Sequence, residues 1–282
     1  MRLWEACGRI VAGDPIPKIM GVVNVTPDSF SDGGRNLAHD DAVAHALELV
    51  AQGADLLDIG GESTRPGSEP VTVEVELGRV IPVVESLAKM VSVPISVDTT
   101  KADVARRAIA AGASIINDIA GLAGDPALPE LIAETGAGVV IMHMLGTPRT
   151  MQIDPRYDDV VREVRDYLAR RVDAAEALGI PRSRIAIDPG IGFGKTGEHN
   201  LLILRNLDQF ATLGCSILIG TSRKNFLGLL TGRAIGERAT ASVVSSLAAA
   251  VQGANVVRVH DVAGMADAIK VWTATQGWDK TS

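Results

Sequence analysis

Eight short apolar runs in this chain end in side chains that can bind or ionise: Asn24, Asp58 with Glu62 beyond it, Asp98, Asn117, His143, Asp188, Ser222 with Lys224, and Arg258 with His260. One polar run-end means little, because every strand must stop. So many Asn, Asp, His, Lys and Arg side chains turned toward one mouth would be costly to desolvate unless a polar ligand satisfied them. Asp188 is the most informative member. It closes the run Arg184–Asp188, and Pro189, Gly190, Gly192 and Gly194 follow at once. Pro189 stops a strand by removing a donor, and the glycines permit close approach to a ligand. Two phosphate-loop patterns come near and fail. A Walker A loop needs glycine where Pro189 stands, and a dinucleotide fingerprint starting at Gly190 needs glycine where Lys195 stands. That leaves Asp188 as a carboxylate facing whatever the loop admits.

Spacing assigns some of the roles. Arg258 and His260 are two apart on one strand and share a face, which makes them an anion clamp. Asn117 and Asp118 are adjacent and point opposite ways, so Asn117 is taken as ligand-facing and Asp118 as a loop anchor. Lys224 follows the capping residues Thr221 and Ser222 and is expected in the first turn of a helix. A cation there opposes the helix dipole at a cost of about 0.3–1 kcal/mol. An anionic or carbonyl-bearing ligand at that helix end would offset the cost. Two loops, Thr26–Gly34 and Gly60–Glu69, are rich in turn residues and lack an apolar anchoring pattern. They are expected to be lids that order over substrate, and Phe30 in the first has no evident core partner.

The elements that must hold these groups follow a regular alternation from Lys18 onward. Short Val/Ile-rich runs without polar alternation suit strands buried on both faces, and each precedes a stretch of helical spacing. The strands are expected at Ile19–Asn24, Asp55–Ile59, Ile95–Asp98, Ser114–Asn117, Gly138–His143, Arg184–Asp188, Ser216–Gly220 and Val256–His260. The helices between them include Asp41–Gln52, Val73–Met90, Tyr157–Leu178 and His199–Thr212, many ending at a glycine such as Gly112 or Gly136. Eight such units imply an α/β fold, a (β/α)8 TIM barrel at residues 18–282, with an open doubly wound sheet as the competing topology. Residues 1–17 read as an N-terminal extension, a hairpin over the barrel floor around Gly8 and Asp14–Pro15.

Composition excludes several classes. With 282 residues, 46% of them hydrophobic, the chain can bury a large core. A net charge of −7 and only 3% aromatics argue against nucleic-acid and anionic-membrane surfaces. Cys7 and Cys215 form neither a metal spacing nor a disulfide framework, and there is no signal sequence or transmembrane-length apolar run. A cytoplasmic protein is expected.

Taken together, the blocks Asn24–Gly34, Gly60–Gly67, Ser96–Asp98, Ile116–Asp118, Met142–Met144, Asp188–Gly194, Thr221–Lys224 and Arg258–Asp261 resemble the dihydropteroate synthase family, in order, from about Met20 to the C-terminus. The resemblance implies a (β/α)8 barrel, usually a homodimer, without nucleic-acid or membrane partners. Its reaction condenses 6-hydroxymethyl-7,8-dihydropterin pyrophosphate with p-aminobenzoate, giving 7,8-dihydropteroate and pyrophosphate. Pyrophosphate departs largely first, and the amine then attacks a pterin-methylene cation. By this similarity Asp98 and Lys224 are catalytic, and Asp98, Asn117, Asp188 and Lys224 hold the pterin. Asn24 coordinates Mg2+ on the pyrophosphate, whose oxygens Thr64, Arg258 and His260 grip. Phe30, Arg65, Pro66, Phe193 and Ser222 form the p-aminobenzoate channel. Asn225 stands where many relatives have serine, and it can donate the same hydrogen bond to the p-aminobenzoate carboxylate. A related pterin-binding methyltransferase expels no pyrophosphate, so it needs neither Asn24 nor the Arg258/His260 clamp. A pterin-binding paralogue without catalysis is the remaining alternative.

Overall fold

Alternation of side chains along a strand sends every second residue to the opposite face, and in this chain the two faces differ in kind. The computed structural model describes residues 2–26, 35–64 and 67–277. Eight parallel strands close on themselves: β3 (Lys18–Asn24), β4 (Leu56–Gly60), β5 (Ile95–Asp98), β6 (Ile115–Asp118), β7 (Gly138–Met142), β8 (Ile185–Asp188), β9 (Ser216–Ile219) and β10 (Val256–Val259). The decisive pairing is β10 with β3, from Val256 opposite Lys18 to Val259 opposite Gly21. It excludes the open sheet and establishes the (β/α)8 barrel.

The outward faces supply the main core. Ile19, Leu57, Val97, Ile116, Ile141, Ile187, Ile217 and Val257 all join the helices in one buried cluster. Inward positions near the strand starts form a separate apolar layer of Met20, Leu56, Ile115, Val140, Ala186, Leu218 and Val256. Inward positions near the strand ends are polar: Asp58, Ser96, Asp98, Asn117 and Asp188 are all buried. The barrel is thus filled by packed side chains below and opens into a charged mouth above.

The floor is covered by an antiparallel hairpin of β1 (Leu3–Ala6) and β2 (Arg9–Gly13). Trp4 is fully buried in the floor layer, and its indole N–H donates to the Arg184 carbonyl at 3.1 Å. Asp14 bonds both Arg2 and Asn255, and so ties the hairpin's end to the start of β10.

Several helix boundaries depart from expectation, among them the stretch expected from Tyr157, which turns helical only at Val160. The first helix, α1 (Arg35–Ala51), starts six residues before Asp41. The stretch expected as one helix at His199–Thr212 is split into α6 (Gly197–Arg205) and α7 (Leu207–Ala211). Asn206 causes the break: its amide donates to the Leu202 carbonyl at 2.8 Å and takes the place of the backbone N–H there. Helix α8 (Asn225–Thr231) begins one residue after Lys224, which caps it instead of sitting in its first turn. The dipole argument for Lys224 therefore does not apply, and its side chain has a different setting.

Candidate active site

The polar layer is organised around Asp58. Its Oδ2 accepts from Arg258 Nε at 2.6 Å and from Asn117 Nδ2 at 3.0 Å, while its Oδ1 accepts from Ser96 Oγ at 2.6 Å. Arg258 also reaches Asp98, Nη2 to Oδ2 at 3.2 Å. One guanidinium from β10 thus serves two buried carboxylates, one on β4 and one on β5. A single cation cannot fully compensate two anions at low dielectric, so one of them tends to keep a proton. That one is Asp98, pushed up to about 7 by burial and by the charge of Asp58, against the pull of Arg258. At neutral pH Asp98 can therefore either donate or accept a hydrogen bond.

Asp188 stands across the mouth. The N–H of Gly190 donates to its Oδ1 at 2.7 Å, and no ion-pair partner lies within 4.0 Å among the described residues. Burial raises its pKa, opposed by the Gly190 hydrogen bond and by Lys224, Lys195 and Arg258. Lys224 is half-buried, its ammonium 4.0 Å from the centre of the Phe193 ring, and burial and Arg258 push it down to about 8. A cation over an aromatic face beside a buried carboxylate suits a flat, polar heterocycle.

The glycine-rich loop after β8 is pinned to neighbouring elements. Gln152 donates to the Gly192 carbonyl at 2.7 Å, Tyr157 to the Gly194 carbonyl at 2.8 Å, and Gly192 N–H to Asn200 at 2.8 Å. At Gly190, φ is 72°, and an added Cβ would lie 1.9 Å from the His143 carbonyl oxygen. We expect Gly190→Ala to combine left-handed strain with that clash and to cost roughly 3 kcal/mol or more. Thermal melts check this, and an unchanged melting temperature would contradict the close-packed loop.

A polar mouth of this composition, on a closed barrel, can be compared with known proteins. The model of the family described as "Pterin binding enzyme" matches residues 20–260. Over 259 residues the chain is 47% identical to the dihydropteroate synthase of Escherichia coli strain K12, covering 92% of each. The chain belongs to the dihydropteroate synthase family. Among solved structures, the Xanthomonas albilineans dihydropteroate synthase with 4-aminobenzoic acid is 50% identical, with a TM-score of 0.90 and 98% of each chain covered. The same organism's enzyme in complex with 7,8-dihydropteroate is 47% identical, with a TM-score of 0.88, covering 98% of this chain and 99% of that one.

Within this family member the sequence-derived residues are not all brought together. Asp98, Asn117, Asp188 and Arg258 share the inner face, with Lys224 on the loop after β9 and Phe193 buried beneath its ammonium. Asn24 ends β3, and Gly60 separates it from Asp98: a Cβ built on Gly60 lies 3.7 Å from both Asn24 Oδ1 and Asp98 Cβ. Thr64 lies half-buried in the loop after β4, and Asn225 is exposed at the start of α8. Phe30, Arg65 and Pro66 lie outside the described residues, as do most of the first lid and part of the second.

Two readings need correction. Arg258 is not a free half of an anion clamp, because two of its nitrogens are committed to Asp58 and Asp98. His260 instead pairs with Ser222, ring Nδ1 to Oγ at 2.9 Å, which joins a residue assigned to pyrophosphate with one assigned to the p-aminobenzoate channel. His143 does not face the mouth. It continues the outward parity of Val139 and Ile141, and its ring packs edge-on against Tyr167 with centroids 4.9 Å apart. Asp118 anchors its loop as expected, accepting from the N–H groups of Ala120 and Leu122 at 2.8 and 2.6 Å.

The clusters that spacing did not reveal are both built on lysine. Lys101 bridges Glu62, in the second lid, to the fully buried Glu76 of α2 (Val73–Met90). Lys195, buried behind Asp188, bonds the ring of His143. The sequence carried a signal for Lys195 in that it ends the glycine-rich loop where a phosphate loop has its lysine. Pro189 breaks that pattern, which hides the lysine.

Proposed function

We propose that this protein condenses 6-hydroxymethyl-7,8-dihydropterin pyrophosphate with p-aminobenzoate to give 7,8-dihydropteroate and pyrophosphate. The observation that carries the reading is the polar inner layer: Asp98, Asn117 and Asp188, with Lys224 over Phe193, on a chain of this family. Asp188 keeps acceptor capacity beyond its bond to Gly190 and can take two adjacent N–H groups from the aminopyrimidinone edge. Asn117 and Asp98 meet the ring from the opposite wall, and Lys224 donates to it from above Phe193.

The pyrophosphate lies toward Asn24, Thr64 and His260, with the third nitrogen of Arg258 on the inner side. Asn24 makes no side-chain hydrogen bond to the described residues, and its oxygen suits Mg2+, a hard ion that keeps waters and takes substrate phosphates. Bound there, Mg2+ would neutralise charge on the leaving group. As the methylene carbon–oxygen bond breaks, its electron pair leaves with pyrophosphate, and Asp98 and Asp188 offset the positive charge that spreads into the pterin. The amine of p-aminobenzoate then forms the carbon–nitrogen bond and loses a proton to solvent. Phe30, Arg65, Pro66, Phe193, Ser222 and Asn225 supply its channel.

We also assign a homodimer. Helices α6, α8 and α9 (Ala239–Val251) border an apolar hollow of about 750 Å3, and the exposed Leu229, Leu230 and Val244 lie on the same helices. A surface of this kind fits a second copy of the chain. No helix among the described residues is long and apolar enough to cross a membrane, and the free Cys7 and Cys215 suit a reducing cytoplasm.

Mixing both substrates with protein and Mg2+ tests the reaction. Equal amounts of 7,8-dihydropteroate and pyrophosphate are expected, with loss of turnover when the metal is chelated. Pterin binding without product would favour the non-catalytic paralogue, and transfer of a methyl group from methyltetrahydrofolate would favour the methyltransferase.

A further inference from the structure

The side chain of Lys195 is buried at 3% exposure and its ammonium meets no carboxylate of the described residues within 4.0 Å. Its contacts are neutral: His143 Nδ1 at 2.9 Å, the Phe193 carbonyl at 2.9 Å and the His143 carbonyl at 3.4 Å. Burying a lysine without a bonded counter-ion is costly. A merely structural fastener between two loops could be built from an amide or hydroxyl at lower cost. Asp188 lies just across Gly190: a Cβ built there would sit 3.4 Å from Lys195 Nζ, the N–H of the same residue donates to Asp188 Oδ1 at 2.7 Å, and no cation of the described residues is bonded to Asp188. Charge and counter-charge therefore face each other without forming a pair.

We propose that Lys195 is a positioning residue of the pterin site. It spends its hydrogen bonds on His143 and Phe193, and leaves its charge to keep Asp188 ionised with an oxygen open for substrate. A direct ion pair would occupy that oxygen. The arrangement also holds the carbonyl of Phe193, and so the ring under Lys224. This assignment rests on the pterin reading of Asp188 given above.

The groups around the pair are few. Lys195 faces His143 after β7, Asp188 on β8 and Lys224 ahead of α8. Asp188 is faced by Lys195, Lys224 and, from β10, Arg258. His143 stays neutral, held down to about 3 by burial and by Lys195, and facing an ammonium, which can only donate, its Nδ1 is the acceptor. Burial pushes Lys195 itself down to about 7, so its charge is fully present on the acid side, where Asp188 is protonated. There the cation matters most. Removing it raises the pKa of Asp188, so the pH at which pterin affinity falls on acidification moves upward.

Calorimetry with 6-hydroxymethyl-7,8-dihydropterin, from acid to mildly alkaline pH, tests this in wild type, Lys195→Met and Lys195→Arg. For Lys195→Met the acid limb should rise by roughly one pH unit, or about tenfold in affinity on that limb. Lys195→Arg, which keeps the charge, should restore most of the wild-type profile. A loss for Lys195→Met that is the same at every pH would overturn the proposal and leave only a packing role. A second measurement needs no folded Lys195 variant. Titration of lysine side-chain nitrogens by NMR in wild type and Asp188→Asn should show the pKa of Lys195 falling when the carboxylate is removed, and an unmoved pKa also overturns the proposal. If wild type binds no pterin at any pH, the function assigned to the mouth fails, while the NMR linkage still decides whether Lys195 and Asp188 are coupled.

Discussion

Asp188→Asn should lower pterin affinity by about a hundredfold or more while leaving the fold intact. The structure fixes how the substituted amide must sit. Gly190 N–H donates to Oδ1, so the asparagine carbonyl keeps that bond and its NH2 takes the place of Oδ2. A donor then faces a ring donor where a charged acceptor stood. One charge-assisted bond is lost, worth roughly 1.5–3 kcal/mol, and a buried mismatch is added, for about 3 kcal/mol in all. That converts to about two orders of magnitude in Kd. An Asp-Pro turn without a binding role predicts the opposite, because asparagine serves equally well in such turns. Calorimetry of pterin binding, with thermal melts as the folding control, separates the two. Near-equal affinities from two well-folded proteins would sink the role of Asp188.

Arg258→Ala should be the most destabilising of the site substitutions. It leaves Asp58, fully buried, and Asp98, nearly so, facing each other without their shared cation. Removing one partner from a buried ion pair typically costs about 3–5 kcal/mol. For a chain of this size that lowers Tm by very roughly 6–15 °C. The loss should depend on pH in a definite direction. Without the guanidinium the buried Asp98 binds its proton more tightly still in the folded state than in the unfolded one, so stability falls as pH rises from the unfolded value of about 4. Asp98 is already pushed up to about 7 in the intact network, and the variant carries this window higher. Melts at acid and neutral pH should therefore show the variant approaching wild type as pH falls. A deficit independent of pH, or pyrophosphate binding weakened with stability untouched, would instead return Arg258 to the role of a plain anion clamp.

The comparison of these two residues shows what could be read from the chain and what could not. The unit count and the two-sided apolar runs were enough for the barrel. The period of two along each strand also suffices to put Asp58, Asp98, Asn117, Asp188 and Arg258 inside, since each shares parity with a floor residue such as Leu56, Ile115, Ala186 or Val256 or pairs with one that does. The same parity sends His143 outward, although its place at the end of an apolar run suggests the mouth. Choice of partner was less accessible. Arg258 and Asp58 are 200 positions apart, and nothing local distinguishes an arginine awaiting an anionic ligand from one already neutralised by neighbouring strands. Helix ends were misjudged where a side chain outcompetes the backbone, as at Asn206, or where two capping residues precede a lysine that itself takes the cap position. Lys195 was missed because its partners, His143 and the loop carbonyls, converge only after β7 and β8 lie side by side.

The central claim is that the polar mouth, and no other surface, holds the pterin ring against Asp188. A crystal structure of the protein with 6-hydroxymethyl-7,8-dihydropterin pyrophosphate tests it most directly. The account predicts the ring above Phe193, its N–H edge within hydrogen-bond distance of the Asp188 carboxylate and its opposite side near Asn117 and Asp98, with the pyrophosphate toward Asn24 and His260. A pterin seated in the apolar hollow between α6, α8 and α9, or in the mouth without contact to Asp188, would contradict it.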